Sequence, residues 1–242
     1  MSKWNKISLF KFQSIDEINQ RDIPDIDKTL FAVCQVFNYT ETRLDNLADT
    51  WLGKRKAARL IQKTAEIFSS PFTPKPVKWL GRYKVEYNPA NLTFGQYIEL
   101  SYFLQSPKGD AHIRNGHYIL ASICNYPGIL KRFSGNHPKK AAYFLTQPVE
   151  NTTGTISVFI ENFQAFNKEY SGLFGLSDTT SEEVKQDKFN KRYGWIYSAT
   201  VLADYEKITL EQAYKLPIRQ ALNDLMYLKE KAAYDEQLLK KA

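Results

Sequence analysis

The sequence predicts a mainly α-helical globular protein with one small inserted β-hairpin, and two patterns lead to this prediction. Apolar residues recur at helical spacing along most of the chain, most clearly at Phe159, Phe163, Phe166 and Tyr170, at steps of 4, 3 and 4. That spacing places them on one face of an amphipathic helix. The alternation of apolar and polar residues that is typical of strands is clearest in residues 77–87.

The N-terminal part of the chain is predicted to be helical. Asp25 can cap a helix that ends near Phe37, and a second helix starts near Thr40–Thr42 and is interrupted at Gly53. The basic run 54–68 is predicted to continue as a helix. Its inward-facing residues are predicted to be Ala57, Leu60, Ile61, Ala65 and Phe68.

A connector and a hairpin follow this helix. Three prolines within residues 69–76 stop the helix and favour an extended chain. In residues 77–87, apolar and aromatic residues alternate on either side of Gly81, which predicts two strands joined by a tight turn. Further helices are predicted from Asn91 or Thr93, within an apolar stretch at 111–124, and at 139–145.

The C-terminal part carries clear helix boundary signals. A helix follows Pro148, residues 171–187 are predicted to be a connector, and another helix spans about 188–205. Thr209 and Gln212 match a capping box, and Pro217 suits the first turn of the last helix. The chain is divided into regions 1–68, 69–150 and 151–242, which can also form one compact domain.

Composition and motifs exclude several classes of protein. The chain of 242 residues is 43% hydrophobic and 14% aromatic, too apolar for a disordered protein. Two cysteines do not make a disulfide scaffold, and Cys34 and Cys124 are predicted to be buried thiols. The first residues do not resemble a signal peptide, and no apolar stretch is long enough to span a membrane. We therefore expect no membrane partner.

No motif indicates catalysis or cofactor binding, so the chain is predicted to be non-enzymatic and to use no cofactor and no metal. His112 and His117 are five residues apart, whereas two zinc ligands on one helix face favour a spacing of four. Glycine-rich phosphate-binding loops and a nucleophile elbow are also missing. One alternative stays open: an enzyme site assembled only in the fold, with His112, His117 and Cys124 as its first candidates.

Positive charge is concentrated in one segment. The chain has a formal net charge of +7, and residues 43–84 alone hold ten Lys and Arg against three Asp and Glu. Such asymmetry indicates an anionic partner. The candidate residues for binding nucleic acid or an acidic partner are Lys54, Arg55, Lys56, Arg59, Lys63, Lys78, Arg82 and Lys84. A smaller basic cluster comprises Lys131, Arg132, Lys139 and Lys140.

Three interpretations of the main basic segment are open. Its cations can contact phosphates, with Trp79 and Tyr83 stacking on exposed bases. They can instead face an acidic protein neighbour. The third interpretation is a solvated basic helix face, with Trp79 and the tyrosines filling the core, and for the aromatic residues we favour this one.

The C-terminal block resembles a family of small tailed-bacteriophage morphogenesis proteins of the tail or portal vertex. The similarity lies in an aromatic-Gly-Trp helix, a short helix opened by Thr-Leu-Glu, a Leu-Pro junction and a final Ala-Leu-rich helix. These are Tyr193-Gly194-Trp195, Thr209-Leu210-Glu211, Leu216-Pro217 and residues 221–231. Residues 81–100 also resemble the hairpin and helix start of these proteins, so the resemblance covers about 80–105 and 189–234.

The resemblance implies a non-enzymatic structural, packaged (cargo) or assembly protein of a phage virion. Its partners would be other virion proteins of the tail, portal or capsid, and DNA is a further possible partner. The protein would belong to a symmetric assembly and would occur in the virion and the host cytoplasm. The alternative is a free nucleic-acid-binding protein that has no role in a particle.

Overall fold

Helices make up most of the described chain, so the mainly α fold class is confirmed. The computed structural model describes residues 4, 7–48, 51–104, 114–126, 138–173 and 183–240. Its α-helices are α1 (Leu9–Asn19), α2 (Asp25–Phe37), α3 (Glu41–Ala48), α4 (Trp51–Phe68), α5 (Phe94–Leu104), α6 (Gly116–Ile123), α7 (Pro138–Leu145), α8 (Val149–Glu169), α9 (Glu183–Glu206), α10 (Leu210–Lys215) and α11 (Ile218–Leu239). Helix α9 begins before the predicted position, so the connector 171–187 was predicted too long.

The predicted hairpin is present, but it belongs to a three-stranded sheet. Strands β1 (Trp79–Leu80) and β2 (Tyr83–Val85) are antiparallel, and Gly81 has a φ of 59° at the first position of their two-residue turn. Glycine is suited to this left-handed conformation. A third strand, β3 (Cys124–Asn125), pairs antiparallel with β2, with Val85 opposite Cys124. The apolar stretch that ends at Cys124 is therefore not helical to its end.

Helix α8 carries the centre of the main hydrophobic core. Its predicted stripe Phe159, Phe163, Phe166 and Tyr170 is buried, which confirms the amphipathic interpretation. Tyr97 of α5 packs on this stripe, with its ring centroid 5.2 Å from that of Phe163. Burial of such large rings is a major source of folding free energy. The same core includes buried residues of α6, α7 and α11.

A smaller core lies between α2 and α3. It consists of the buried residues Val33, Cys34 and Leu44, with Leu60 of α4 packed against it. Contacts also cross the predicted boundary at 68/69, since the indole Nε1 of Trp4 donates to the Ser70 carbonyl oxygen at 3.1 Å. The predicted boundary at 150/151 lies in the first turn of α8. The division into three regions itself stays a prediction.

Helices α10 and α11 begin within one residue of their predicted starts. Thr209 Oγ1 accepts from the Gln212 backbone N–H, and Gln212 Oε1 accepts from the Thr209 backbone N–H at 2.9 Å, which completes the capping box. Pro217 is the N-cap of α11. The first half of α11 packs on the main core, whereas every residue from 229 to 240 is exposed. The end of α11 therefore projects from the body of the protein.

The contact between α9 and α11 brings together two carboxyl groups, Asp224 and Glu206. Asp224 Oδ2 is buried and has no hydrogen-bond partner among the described residues. Burial, together with the adjacent Glu206, raises the pKa of the Asp224 carboxyl. A raised folded-state pKa contributes stability that is present below the unfolded pKa and is lost as pH rises through the folded value.

We expect Asp224→Asn to stabilise the protein at pH 7, by up to about 1 kcal/mol for a partly exposed pair. The gain should shrink as the pH falls toward the ordinary titration range of Asp, about pH 4, because the raised pKa favours the protonated carboxyl in the folded protein. Urea unfolding at both pH values measures this difference. Asp204→Asn, at an exposed position of α9, is the control. An equal gain for Asp224→Asn at both pH values would contradict the prediction.

Candidate nucleic-acid interface

Helix α4 carries most of the predicted basic residues, but its start and its buried face differ from the prediction. It begins at Trp51 and runs through Gly53, so Gly53 does not interrupt it. Its buried residues are Gly53, Thr64 and Ile67. Thr64 can be buried because its hydroxyl donates to the Leu60 carbonyl oxygen at 2.9 Å. Ile61, Ala65 and Phe68, which were predicted to face inward, are exposed.

All five predicted cations of α4 are exposed to solvent. They are Lys54, Arg55, Lys56, Arg59 and Lys63. With 3.6 residues per turn, all but Lys54 fall within an arc of about 100°. The Arg55 guanidinium lies 4.0 Å from the centroid of the exposed Trp51 ring, and Lys56 Nζ lies 5.9 Å from the Tyr39 ring. The helix thus presents cations together with aromatic rings.

The other three predicted cations, Lys78, Arg82 and Lys84, are exposed around the hairpin. Lys84 lies directly opposite Trp79 in the β1–β2 register, so their side chains share the outer face of the sheet. Arg82 lies in the turn, with its guanidinium 5.3 Å from the Tyr83 ring centroid and 5.4 Å from that of Tyr143.

The aromatic residues of the hairpin divide between core and surface. Tyr83 packs inward, with its ring 5.4 Å from Phe144 and 5.2 Å from Tyr143. Trp79 is 49% exposed, so the prediction that it fills the core is wrong. The reason is register: Leu80 and Val85 occupy the buried face of the sheet, which leaves Trp79 on the opposite face.

None of the eight predicted cations forms an ion pair in the part of the chain that the structure describes. Other exposed cations do pair with acids: Arg21 with Glu17, Lys215 with Glu211, Arg219 with Glu169, and Lys240 with Glu236. The charge of the predicted site is therefore uncompensated within the described chain, and the positive potential around it should be correspondingly high.

The eight cations form two groups on different elements. Helix α4 packs on α2 and α3, whereas the hairpin packs on β3 and, through Tyr83, on α7. No hydrogen bond or ring contact joins the two groups within the described ranges. We define the exposed cations of α4 with Trp51 as the helix patch, and Lys78, Trp79, Arg82 and Lys84 as the sheet patch.

Lys140, from the smaller predicted basic cluster, has an internal role. Its Nζ donates to the Ala121 carbonyl oxygen at 2.6 Å and lies 5.7 Å from the Tyr83 ring centroid. Burial lowers the pKa of Lys140, and the nearby Cys124 and Glu99 oppose that change. The Lys140 ammonium therefore contacts α6 and Tyr83 on the inner face of the sheet. Lys131 and Arg132 lie outside the described residues.

Trp51 is a site residue that sequence reasoning missed. Trp51 follows Leu44 and Leu47 at helical spacing in the sequence, which predicts that it lies on the apolar face of a helix. In the structure it is 65% exposed beside Arg55. An aromatic residue four positions before an arginine in a basic helix is the signal that could have identified it, because residues four apart are neighbours on a helix surface.

The residues named for an assembled enzyme site do not form a cluster in the described ranges. Cys124 is fully buried in the sheet, and burial raises the pKa of its thiol. His117 is half-buried, its Nδ1 lies 3.5 Å from Gln13 Nε2, and burial lowers its pKa. His112 lies outside the described residues. Across the described chain, no three His, Cys, Asp or Glu residues are grouped as metal ligands would be.

Comparison with protein-family models, curated proteins and solved structures finds no match for this chain. Among the described helices, none is both long enough and apolar enough to cross a membrane.

Proposed function

We propose that this protein binds DNA through the helix patch and the sheet patch, as a non-enzymatic structural, packaged or assembly component of a tailed-phage virion. The observation that carries the proposal is the set of eight exposed cations without ion pairs in the described chain. Unpaired cations attract a polyanion because binding releases the counterions condensed on its phosphates. The alternative partner is an acidic protein, whose carboxylates would supply the negative charge in place of phosphates.

Helix geometry supports a contact with successive phosphates. Lys56, Arg59 and Lys63 of the helix patch recur at steps of 3 and 4 along α4, which is about 27 Å long at 1.5 Å per residue. The phosphates of one DNA strand also recur at short, regular intervals. Several cations of the helix patch can therefore contact phosphates at the same time. The sheet patch adds three cations on a second element.

The setting in a phage particle rests on the resemblance of residues 80–105 and 189–234 to morphogenesis proteins. The projecting end of α11 also supports a role in assembly. It exposes Tyr234, Leu238 and Leu239, which offer apolar area to a neighbouring virion subunit. We propose that the protein occurs in the virion and in the host cytoplasm, within a symmetric assembly.

Charge-neutralising variants test DNA binding. The variant changes four cations of the helix patch to Gln: Lys54, Arg55, Lys56 and Arg59. We expect it to bind DNA more weakly. The slope of log K against log salt should become less steep by about 3–4, because each phosphate contact contributes about 0.9 to that slope. The matched control changes Arg21, Lys215, Arg219 and Lys240 to Gln, which removes the same charge from ion-paired positions. Fluorescence anisotropy across a salt series measures both variants. Equal loss in the two variants would mean that net charge alone acts and would refute the helix patch.

Mass spectrometry of density-purified particles tests the setting. A fixed ratio to the major capsid protein, near six or twelve copies or a multiple of these, would support a component of a symmetric vertex. Presence in infected lysate without presence in particles would favour an assembly factor or the alternative, a free nucleic-acid-binding protein.

A further inference from the structure

Two of the four tryptophans are strongly exposed, and both lie among unpaired cations. Trp51 is 65% exposed in the helix patch, and Trp79 is 49% exposed in the sheet patch. The remaining two are placed differently: Trp4 is buried against Phe68 and Phe72, and Trp195 packs on aromatic rings of α5. The fold can therefore cover an indole, yet it leaves two in solvent within the basic surface.

From this placement we infer that the protein prefers nucleic acid with unpaired bases, and that Trp51 and Trp79 stack on those bases. The inference rests on the proposed DNA-binding function and names the form of DNA that the two patches recognise. A cationic groove combined with aromatic rings is the arrangement that binds single strands, because every base has a π-face that an indole can cover.

The surroundings of Trp51 suit stacking on one side of the ring. The Arg55 guanidinium covers one face at 4.0 Å from the ring centroid, a cation–π distance. With 65% of the residue exposed, the indole still offers area to a base. Lys54, three residues after Trp51, is its neighbour on the helix surface, and Arg59 lies about 12 Å further along the helix axis than Trp51. These cations can contact the phosphates of the same strand.

Trp79 lies in comparable surroundings on the sheet. It follows Lys78 in the chain and faces Lys84 across the strand pair. No aromatic ring of the described residues lies against it, in contrast to Tyr83 on the opposite face. Its indole is thus exposed on the outer face of the sheet, which it shares with Lys84.

A paired duplex offers less to these side chains. Its bases are stacked inside, so an indole reaches a base face only by unstacking the helix, which costs free energy. Duplex phosphates would still attract the cations. We therefore expect duplex DNA to bind through charge alone and single-stranded DNA to bind through charge and stacking together.

The test compares a mixed-sequence oligonucleotide of about twenty nucleotides, single-stranded and as its duplex, by fluorescence anisotropy. The double variant Trp51→Ala with Trp79→Ala should weaken single-strand binding by roughly tenfold or more and leave duplex binding within about twofold. The control is Tyr102→Ala with Phe10→Ala, which removes two exposed aromatic rings outside both patches and should change neither affinity. Circular dichroism confirms that each variant is folded.

The outcomes separate this inference from the proposed function. Equal affinity of the wild-type protein for both DNA forms, or an unchanged single-strand affinity in the tryptophan double variant, would overturn the inference. If the charge-neutralised variant still lost binding in that case, the proposed DNA-binding function would stand without stacking. Failure of the wild-type protein to bind either form would refute both and would favour an acidic protein partner.

Discussion

Phe159→Ala is expected to lower the free energy of unfolding by about 4 kcal/mol. Phe159 is fully buried in α8 and packs beside Phe163, with ring centroids 5.8 Å apart. Removing its ring loses apolar burial and leaves a cavity that the neighbouring side chains fill only in part. Because natural domains are stable by about 5–15 kcal/mol, this single change removes a large part of the total. Urea unfolding followed by circular dichroism measures the loss.

Phe10→Ala is the matched control for this prediction. Phe10 also lies in a helix, α1, but it is 52% exposed. Its replacement should cost less than about 1 kcal/mol, as is usual for exposed positions. If both variants lost the same stability, the assignment of Phe159 to the centre of the main core would be wrong.

Gly154→Ala is expected to destabilise the protein by about 3 kcal/mol through steric overlap. A Cβ at this position of α8 would overlap backbone atoms of Pro74 and Lys75. Backbone cannot move aside as a flexible side chain can, and here it is held by a hydrogen bond from the Lys75 N–H to the Glu150 carbonyl oxygen at 3.0 Å. The overlap must displace either α8 or the proline-containing connector of residues 69–76.

Thermal and urea unfolding measure this effect, with Gly172→Ala as the control. A Cβ at Gly172 would meet no atom within 4 Å, so that change should be close to neutral. Since the connector leads directly into Lys78 and Trp79, Gly154→Ala should also weaken binding through the sheet patch. A neutral Gly154→Ala variant would show that the connector does not pack against α8 as described.

Local signals in the sequence predicted the elements that depend on local physics. The stripe of α8, the capping box at Thr209 and the turn at Gly81 each follow from residues close together in the chain. Strand β3 could not be predicted in this way. It is two residues long and pairs with a strand about forty residues earlier, so its existence depends on tertiary contacts.

The candidate site was predicted in its charges but not in its aromatic residues. The eight cations are read directly from the sequence, and their exposure could be predicted because charged residues are mostly exposed in any fold. The exposure of Trp79 depends on which face of a short sheet Leu80 and Val85 cover, and a two-residue strand has too short a pattern to decide it. The buried Thr64 similarly shows that α4 turns a different face to the core than its apolar pattern predicts. A local hydrogen bond to the Leu60 carbonyl oxygen satisfies the buried hydroxyl.

The two buried cysteines give each hydrophobic core its own chemical reporter. Cys34 belongs to the small core between α2 and α3, and Cys124, in strand β3, belongs to the main core. A thiol reagent reaches either sulfur only when the surrounding structure opens, so its rate of reaction measures the local opening equilibrium. Following the two labelling rates separately would show whether the small core opens independently of the main one, without introducing a probe into the chain.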